Sequence, residues 1–221
     1  MNKNLTEIIF ILDRSGSMAG LESDTIGGFN GLIREQKQAE GEAFVTTVLF
    51  NHNTEILHDR LPVADVPDMT DKDYAVRGCT ALLDAVGESV ARTDLIQKHV
   101  REEDRPAKTM VVITTDGLEN ASSRCTYADV KALIETKKAE GWEFVFLGAN
   151  IDAAEEAQRI GIAPSRAVNF VSDEEGTALN FKALNKAVGA VRKSEDAMAM
   201  AAVLEDGACF DEIRADYAKR K

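Results

Sequence analysis

The sequence predicts an α/β protein built on a doubly wound, mostly parallel sheet. Three observations support this. Short apolar runs recur along the chain, stretches with helical periodicity separate them, and the runs "EIIFIL", "TMVVIT" and "EFVFLG" are apolar nearly throughout. Runs without alternation are typical of strands covered on both faces. Strands that alternate with helices through short connections place helices on both sides of such a sheet.

Six runs are predicted to be strands. Five of them form the parallel part of the sheet and cover residues 7–12, 43–50, 109–114, 143–148 and 167–171. The sixth, "TEILHDRL" at 54–61, is more polar and follows its predecessor through the turn-like "NHN". This pattern predicts a hairpin, and therefore one antiparallel strand at an edge of the sheet.

Apolar residues recur at helical spacing between these strands. The helical patterns are marked by Ile26, Phe29 and Ile33, by Leu82, Val86 and Val90, by Val130, Leu133 and Ile134, by the run from Asp152 to Arg159, and by residues 178–192. The composition changes after Lys193, where "SEDAMAMAAVL" leads into a charged end. We therefore expect one domain over residues 1–193 and a helical or flexible C-terminal extension over 194–221.

Composition excludes several classes of function. The 221 residues carry a net charge of -12, which disfavours binding to nucleic acids and to anionic membranes because both are polyanions. No apolar stretch approaches the roughly 18 residues that span a bilayer. The three cysteines, Cys79, Cys125 and Cys209, are widely spaced and form neither a disulfide framework nor a zinc-type pair. We expect a soluble cytoplasmic protein whose partners are metal cations and other proteins.

The turn after the first predicted strand contains more polar side chains than a turn requires. "DRSGSM" follows the first strand and places Asp13, Ser15 and Ser17 at intervals of two. Asp116 follows the strand 109–114, and Thr80 precedes the second helix. The carboxyl ends of parallel strands share one edge of a sheet, so these five side chains are expected to meet there. They offer only oxygen, which favours Mg²⁺ and other hard cations over zinc.

Each of these signals also has a simpler interpretation. An Asp-x-Ser-x-Ser turn alone is commonly a turn with a helix cap, because Asp and Ser accept hydrogen bonds from free backbone N–H groups. Thr80 alone is expected to cap the second helix, and Asp116 followed by Gly117 is an ordinary turn signal. Their agreement on one sheet edge favours the metal site.

The same residues resemble the metal-ion-dependent adhesion site of von Willebrand factor type A domains. The resemblance covers about residues 5–193 and includes all five motif positions, which are Asp13, Ser15, Ser17, Thr80 and Asp116. It implies a Rossmann-like sheet with the strand 54–61 antiparallel, and a protein-binding module rather than an enzyme. The chain has the size of stand-alone bacterial domains of this kind, some of which serve in stress-response or assembly complexes.

The resemblance also implies a role for each residue. Ser15 and Ser17 would bind Mg²⁺ or Mn²⁺ through their hydroxyls, and Thr80 would join them when a ligand arrives. Asp13 and Asp116 would hold coordinated waters or orient the hydroxyls. The neutral ligands leave the metal electrophilic, so an acidic side chain of a partner protein would fill the open position.

The alternative is a Mg²⁺-dependent hydrolase or phosphatase on a similar sheet. A phosphatase of the haloacid dehalogenase type would place a second aspartate two residues after Asp13, where Ser15 stands. No phosphate-binding loop is present. Of the three histidines, His58 and His99 are expected to be solvated surface residues. His52 is expected to be solvated too, but its strand ends at the metal edge, so it is the best acid–base candidate.

Overall fold

The computed structural model describes all 221 residues, and its centre is a six-stranded sheet. The strands are Asn2–Asp13 (β1), Glu42–Phe50 (β2), Thr54–Pro62 (β3), Pro106–Thr115 (β4), Glu143–Ala149 (β5) and Ala167–Phe170 (β6). Their order is β3-β2-β1-β4-β5-β6, and only β3 runs antiparallel to its neighbour. The predicted architecture, including the antiparallel edge strand, is confirmed.

Seven α-helices surround this sheet. They are Glu22–Gln38 (α1), Leu82–His99 (α2), Tyr127–Ala139 (α3), Ala153–Arg159 (α4), Glu174–Lys193 (α5), Ala197–Asp206 (α6) and Asp211–Arg220 (α7). Strand β1 shows why its run is apolar throughout. Ile8, Phe10 and Leu12 lie in the core under α1 and α5, whereas Ile9 and Ile11 lie in the core under α2. None of the helices combines the length and the apolarity needed to cross a bilayer.

The last 28 residues form α6 and α7, which pack against the rest of the chain. Met200, Leu204, Phe210 and Ile213 are buried in the same apolar cluster that α1 and α5 share with the sheet. An ion pair of 2.7 Å between Arg166 and Glu205 adds a polar contact to α6. The segment is therefore helical, and its apolar side is part of the core.

The topology fixes the place of the candidate site. The chain leaves β1, forms β2 and β3 on one side of it, and returns to form β4 on the other side. The carboxyl ends of β1 and β4 are therefore neighbours at the point where the strand order reverses, which is where ligands bind in open α/β sheets. Asp13 is the last residue of β1, and Asp116 follows the last residue of β4.

Candidate metal centre

Asp13 is fixed by hydrogen bonds to both carboxylate oxygens. The backbone N–H of Ser15 donates to Oδ1 at 2.7 Å, and the hydroxyl of Thr115 donates to Oδ2 at 2.6 Å. The Tyr74 hydroxyl donates to the backbone carbonyl of the same residue. Asp13 is only 1% exposed. Its carboxylate is thus held in one orientation at the end of β1.

The two serine hydroxyls lie side by side next to the second aspartate. Ser15 Oγ and Ser17 Oγ are 3.1 Å apart, and the Ser17 hydroxyl donates to Asp116 Oδ1. Ser15 is buried, whereas Ser17 is exposed to solvent. Two oxygens bound side by side to one Mg²⁺ at about 2.1 Å each would lie roughly 3 Å apart. The separation of the hydroxyls therefore fits a shared hard cation.

Thr80 is positioned by the loop that follows β4. Its backbone N–H donates to Asn120 Oδ1 at 2.8 Å, and its carbonyl accepts from the Asn120 N–H at 3.0 Å. The expectation that Thr80 caps α2 is wrong, because the N-cap residue is Ala81 and no side chain of the cap bonds to the helix. The loop that follows β4 provides the hydrogen-bond acceptors for the start of α2 instead.

Two side chains of this loop take the place of a cap. The N–H of Leu83 donates to Glu119 Oε2 at 2.9 Å, and the N–H of Asp84 donates to Ser122 Oγ at 3.0 Å. The Thr80 hydroxyl is therefore not needed by the helix.

Gly117 lies between the hydroxyls of Ser17 and Thr80. A Cβ added to this glycine would be 3.4 Å from Ser17 Oγ and 3.6 Å from Thr80 Oγ1. The structure thus brings all five sequence-predicted residues to one sheet edge, around a space that a side chain at position 117 would enter.

Neither aspartate of the site has a cationic partner. Their carboxylates accept hydrogen bonds only from a backbone N–H and from the hydroxyls of Ser17, Thr115 and Ser172. Burial raises the pKa of Asp13 to about 6, and burial also raises the pKa of Asp116. Buried charges are usually paired or bound to metals. Two uncompensated carboxylates match the charge of one divalent cation.

Sequence reasoning missed three residues of this site. Thr115 holds Asp13, Tyr74 holds the end of β1, and Ser172 donates to Asp116 Oδ2 at a long 3.5 Å. Thr115 could have been found, because it directly precedes Asp116 at the end of its strand. Tyr74 and Ser172 lie in loops whose approach to the site depends on tertiary packing, and no local pattern marks them.

The histidines divide into two surface residues and one core residue. His52 is exposed and lies against Gly78, where an added Cβ would be 2.2 Å from His52 Nδ1, so it does sit close to the edge that carries Thr80. His99 is exposed as well. The expectation that His58 is solvated is wrong. It is 2% exposed, because α1 covers this face of β3, and Phe29 stacks on its ring.

The cysteines do not form a pair over the site. Cys79 is exposed, and all three cysteines are free. Cys125 packs against Gly87 in α2, where an added Cβ would be 2.6 Å from its Sγ.

Comparisons with known proteins agree on the fold. No protein-family model and no curated protein sequence matches the chain. Among solved structures, proximal thread matrix protein 1 from the mussel byssus aligns with a TM-score of 0.58 and 17% identity, over 84% of this chain and 46% of that one. Another structure of the same mussel protein is described as having a zinc-occupied MIDAS motif, the metal-ion-dependent adhesion site. The chain thus spans about half the length of the mussel protein.

Two further structures are similar. The manganese-loaded TRAP protein of Plasmodium vivax aligns with a TM-score of 0.53 and 16% identity, over 82% of this chain and 74% of that one. A von Willebrand factor type A protein from Catenulispora acidiphila aligns with a TM-score of 0.53 and 15% identity, over 84% of this chain and 42% of that one. The chain adopts the von Willebrand factor type A fold, as its motif residues predicted.

Proposed function

We propose that the protein is a metal-dependent protein-binding module. In this proposal the hydroxyls of Ser15 and Ser17 bind Mg²⁺ or Mn²⁺ directly, and Thr80 joins them when a partner binds. Asp13 and Asp116 balance the charge and orient the hydroxyls and coordinated waters. The observation that carries the proposal is the pair of buried, uncompensated carboxylates beside the exposed hydroxyl of Ser17.

The bound cation would supply an electrophilic position that a partner's carboxylate can fill. The chain's own residues prepare that position. The neutral hydroxyls cancel little of the metal charge, and the exposed Ser17, beside the half-buried Gly117, leaves the position open to solvent. One structure of the mussel protein has a zinc-occupied MIDAS motif, and the Plasmodium protein is loaded with manganese. Both metals therefore belong beside Mg²⁺ among those to test here.

We further propose a binding role in a bacterial stress-response or assembly complex in the cytoplasm, with a protein that presents an acidic side chain. The module is proposed to have no catalytic activity and to bind neither nucleic acid nor membrane. The runner-up is a metal-dependent hydrolase, which His52 keeps open because it lies against Gly78, two residues from Thr80.

Titration of the purified protein with Mg²⁺, Mn²⁺ and Zn²⁺ by calorimetry tests the metal site directly. Ser17→Ala should weaken the binding of Mg²⁺ or Mn²⁺, whereas Ser23→Ala, at an exposed serine in α1, should not change it. Equal metal binding by both variants, or no binding by the wild type, would contradict the proposal. Assays with phosphate esters on the metal-loaded protein test the runner-up, because turnover that His52→Ala abolishes would favour the hydrolase.

The partner-binding role is tested with Thr80→Ala. A partner captured in Mg²⁺ and released in EDTA is titrated against the wild type and the variant at saturating metal. Because Thr80 is not a helix cap, the variant should keep its stability and most of its metal affinity. Its affinity for the partner should fall much further than its metal affinity. Equal partner affinities would place the contact elsewhere, for example on residues 194–221.

A further inference from the structure

A small cavity lined by buried residues adjoins the candidate metal centre. It has a volume of about 10 Å³ and is bounded by α1, β4, α5, the end of β1 and the loop that carries Tyr74. Its lining residues are no more than 5% exposed. Asp13 forms part of the wall, so the cavity and the candidate site share this residue.

Four buried oxygen atoms of its lining have no hydrogen-bond partner in the protein. They are the hydroxyls of Thr25, Thr114 and Thr177 and the side-chain carbonyl of Asn180. These residues come from α1, β4 and α5, so no single turn or cap explains them. A buried polar atom without a partner destabilises the folded state. Four of them around one cavity therefore indicate a ligand rather than an accident of packing.

We propose that this cavity binds one ordered water molecule. A volume of about 10 Å³ is close to the minimum that a single water needs. The hydrogen-bond count agrees as well. A water donates two hydrogen bonds and accepts two, so it can donate to Asn180 Oδ1 and to one threonine oxygen and accept from the other two hydroxyls. One molecule thus provides partners for all four oxygens.

A cation fits the same atoms less well. It would take a lone pair from each oxygen and leave the three hydroxyl hydrogens pointing away from it. The rest of the wall is largely apolar, with Leu12, Phe170 and Phe181. Both oxygens of its one carboxylate, Asp13, already accept hydrogen bonds from Ser15 and Thr115. Water satisfies both the oxygens and the hydrogens, so the chemistry of the lining selects a neutral ligand that both donates and accepts.

The proposed water would link three elements that carry or border the candidate site. Thr25 is in the first turn of α1 and Thr177 is in the first turn of α5, whereas Thr114 is near the end of β4. The water would therefore hold both helices to the strand that leads to Asp116. This proposal stands whether or not a metal binds, because it depends only on interior atoms.

A crystal structure of the wild-type protein at a resolution that shows ordered solvent tests the proposal. The expected result is a single density peak in the cavity, at hydrogen-bond distances of about 2.7–3.2 Å from the oxygens of Thr25, Thr114, Thr177 and Asn180. An empty cavity would overturn the proposal. So would a peak at the shorter distances of a bound sodium ion.

Matched valine variants give a second readout in solution. Thr177→Val removes one partner of the water and should lower the melting temperature by about 2–4 °C, the shift expected for one hydrogen bond in a protein of this size. Thr6→Val is the control, because its hydroxyl is also buried and unpartnered but does not line the cavity. That change should leave the melting temperature unchanged or raise it. If Thr177→Val behaves in the same way as Thr6→Val, no water is bound there.

Discussion

Strand β1 contains two buried carboxylates, of which one has a cationic partner and the other has none. Glu7 is 0% exposed and Asp13 is 1% exposed. Glu7 accepts from Arg60 Nε at 2.8 Å and from Gln97 Nε2 at 3.2 Å. Asp13 accepts only from a backbone N–H and a threonine hydroxyl. The same strand therefore holds one carboxylate with its cation in place and another without one.

The difference is between a buried charge that the chain pairs itself and one that it leaves without a cationic partner. Burying an ion without a counterion is costly, and in stable interiors such ions are paired or bound to metals. Glu7 meets this requirement within the chain. Asp13 and Asp116 do not, although the hydrogen bonds that orient them are complete. The carboxyl end of the sheet thus carries two buried carboxylates without a cation from the chain, which is what the proposed metal site requires.

The largest expected effect comes from removing the cationic partner of Glu7, so that its carboxylate is left unpaired as that of Asp13 is. Arg60→Met leaves the Glu7 carboxylate buried without a cation and should lower the free energy of unfolding by about 3–5 kcal/mol in urea titrations. Arg92→Met is the control, because its pair with Asp59 is exposed and should contribute about 0–1 kcal/mol. Similar losses in the two variants would contradict the comparison.

The second effect comes from supplying the cation that Asp13 and Asp116 lack. Mg²⁺ or Mn²⁺ at a hundred times its dissociation constant should raise the free energy of unfolding by about 2.7 kcal/mol. Thermal or urea unfolding in metal and in EDTA measures this change. Arg92→Met should respond as the wild type does. An unchanged transition in every metal would mean that the two carboxylates are simply tolerated.

The third effect concerns the metal affinity itself. Asp116→Ala removes one of the two uncompensated charges and should weaken metal binding by about 10–100-fold, which is typical for a residue that orients metal ligands. Ser172→Ala should have a smaller effect in the same direction, because its hydrogen bond to Asp116 is 3.5 Å long. Calorimetric titration measures the metal affinity of the two variants. A larger loss in Ser172→Ala than in Asp116→Ala would contradict this prediction.

The smallest effect concerns a buried base that has neither a counterion nor a metal. Burial lowers the pKa of His58 below 6.5, so the folded protein keeps the ring neutral while the unfolded chain takes up a proton below about pH 6.5. Its contribution to stability is therefore complete above this pH and is lost as the pH falls. His58→Gln should have a free energy of unfolding that falls less between pH 7 and 5. Parallel curves for the two proteins would contradict this prediction.

Much of this architecture can be read from local pattern, but the charge partners cannot. The uninterrupted apolar runs and the hairpin signal are enough to predict the sheet. The candidate site is predicted from the agreement of Asp13, Ser15 and Ser17 with Thr80 and Asp116 on one sheet edge. Taken alone, Thr80 resembles a helix cap because it precedes a helix, yet Glu119 and Ser122, which are 36 and 38 residues from their donors in sequence, accept hydrogen bonds from the first N–H groups of that helix. The division at Lys193 stays a prediction.

His58 and the Glu7–Arg60 pair show the same limit. An edge strand suggests exposure, but α1 covers the face of β3 on which His58 lies. Glu7 and Arg60 are 53 residues apart in sequence, and nothing near either residue indicates the other. Contacts of this kind are fixed by packing between elements, which periodicity does not encode.

The loop between β4 and α3 is held to α2 through its own backbone N–H groups. The Asp84 carboxylate accepts from the N–H groups of Ser123, Arg124 and Cys125 at 2.8–3.0 Å, and Glu119 accepts from those of Ala121 and Ser122. These amides should exchange with deuterium far more slowly than exposed loop amides do. Their exchange rate therefore reports how often the loop that carries Asp116 opens. This measurement requires neither a bound metal nor a known partner.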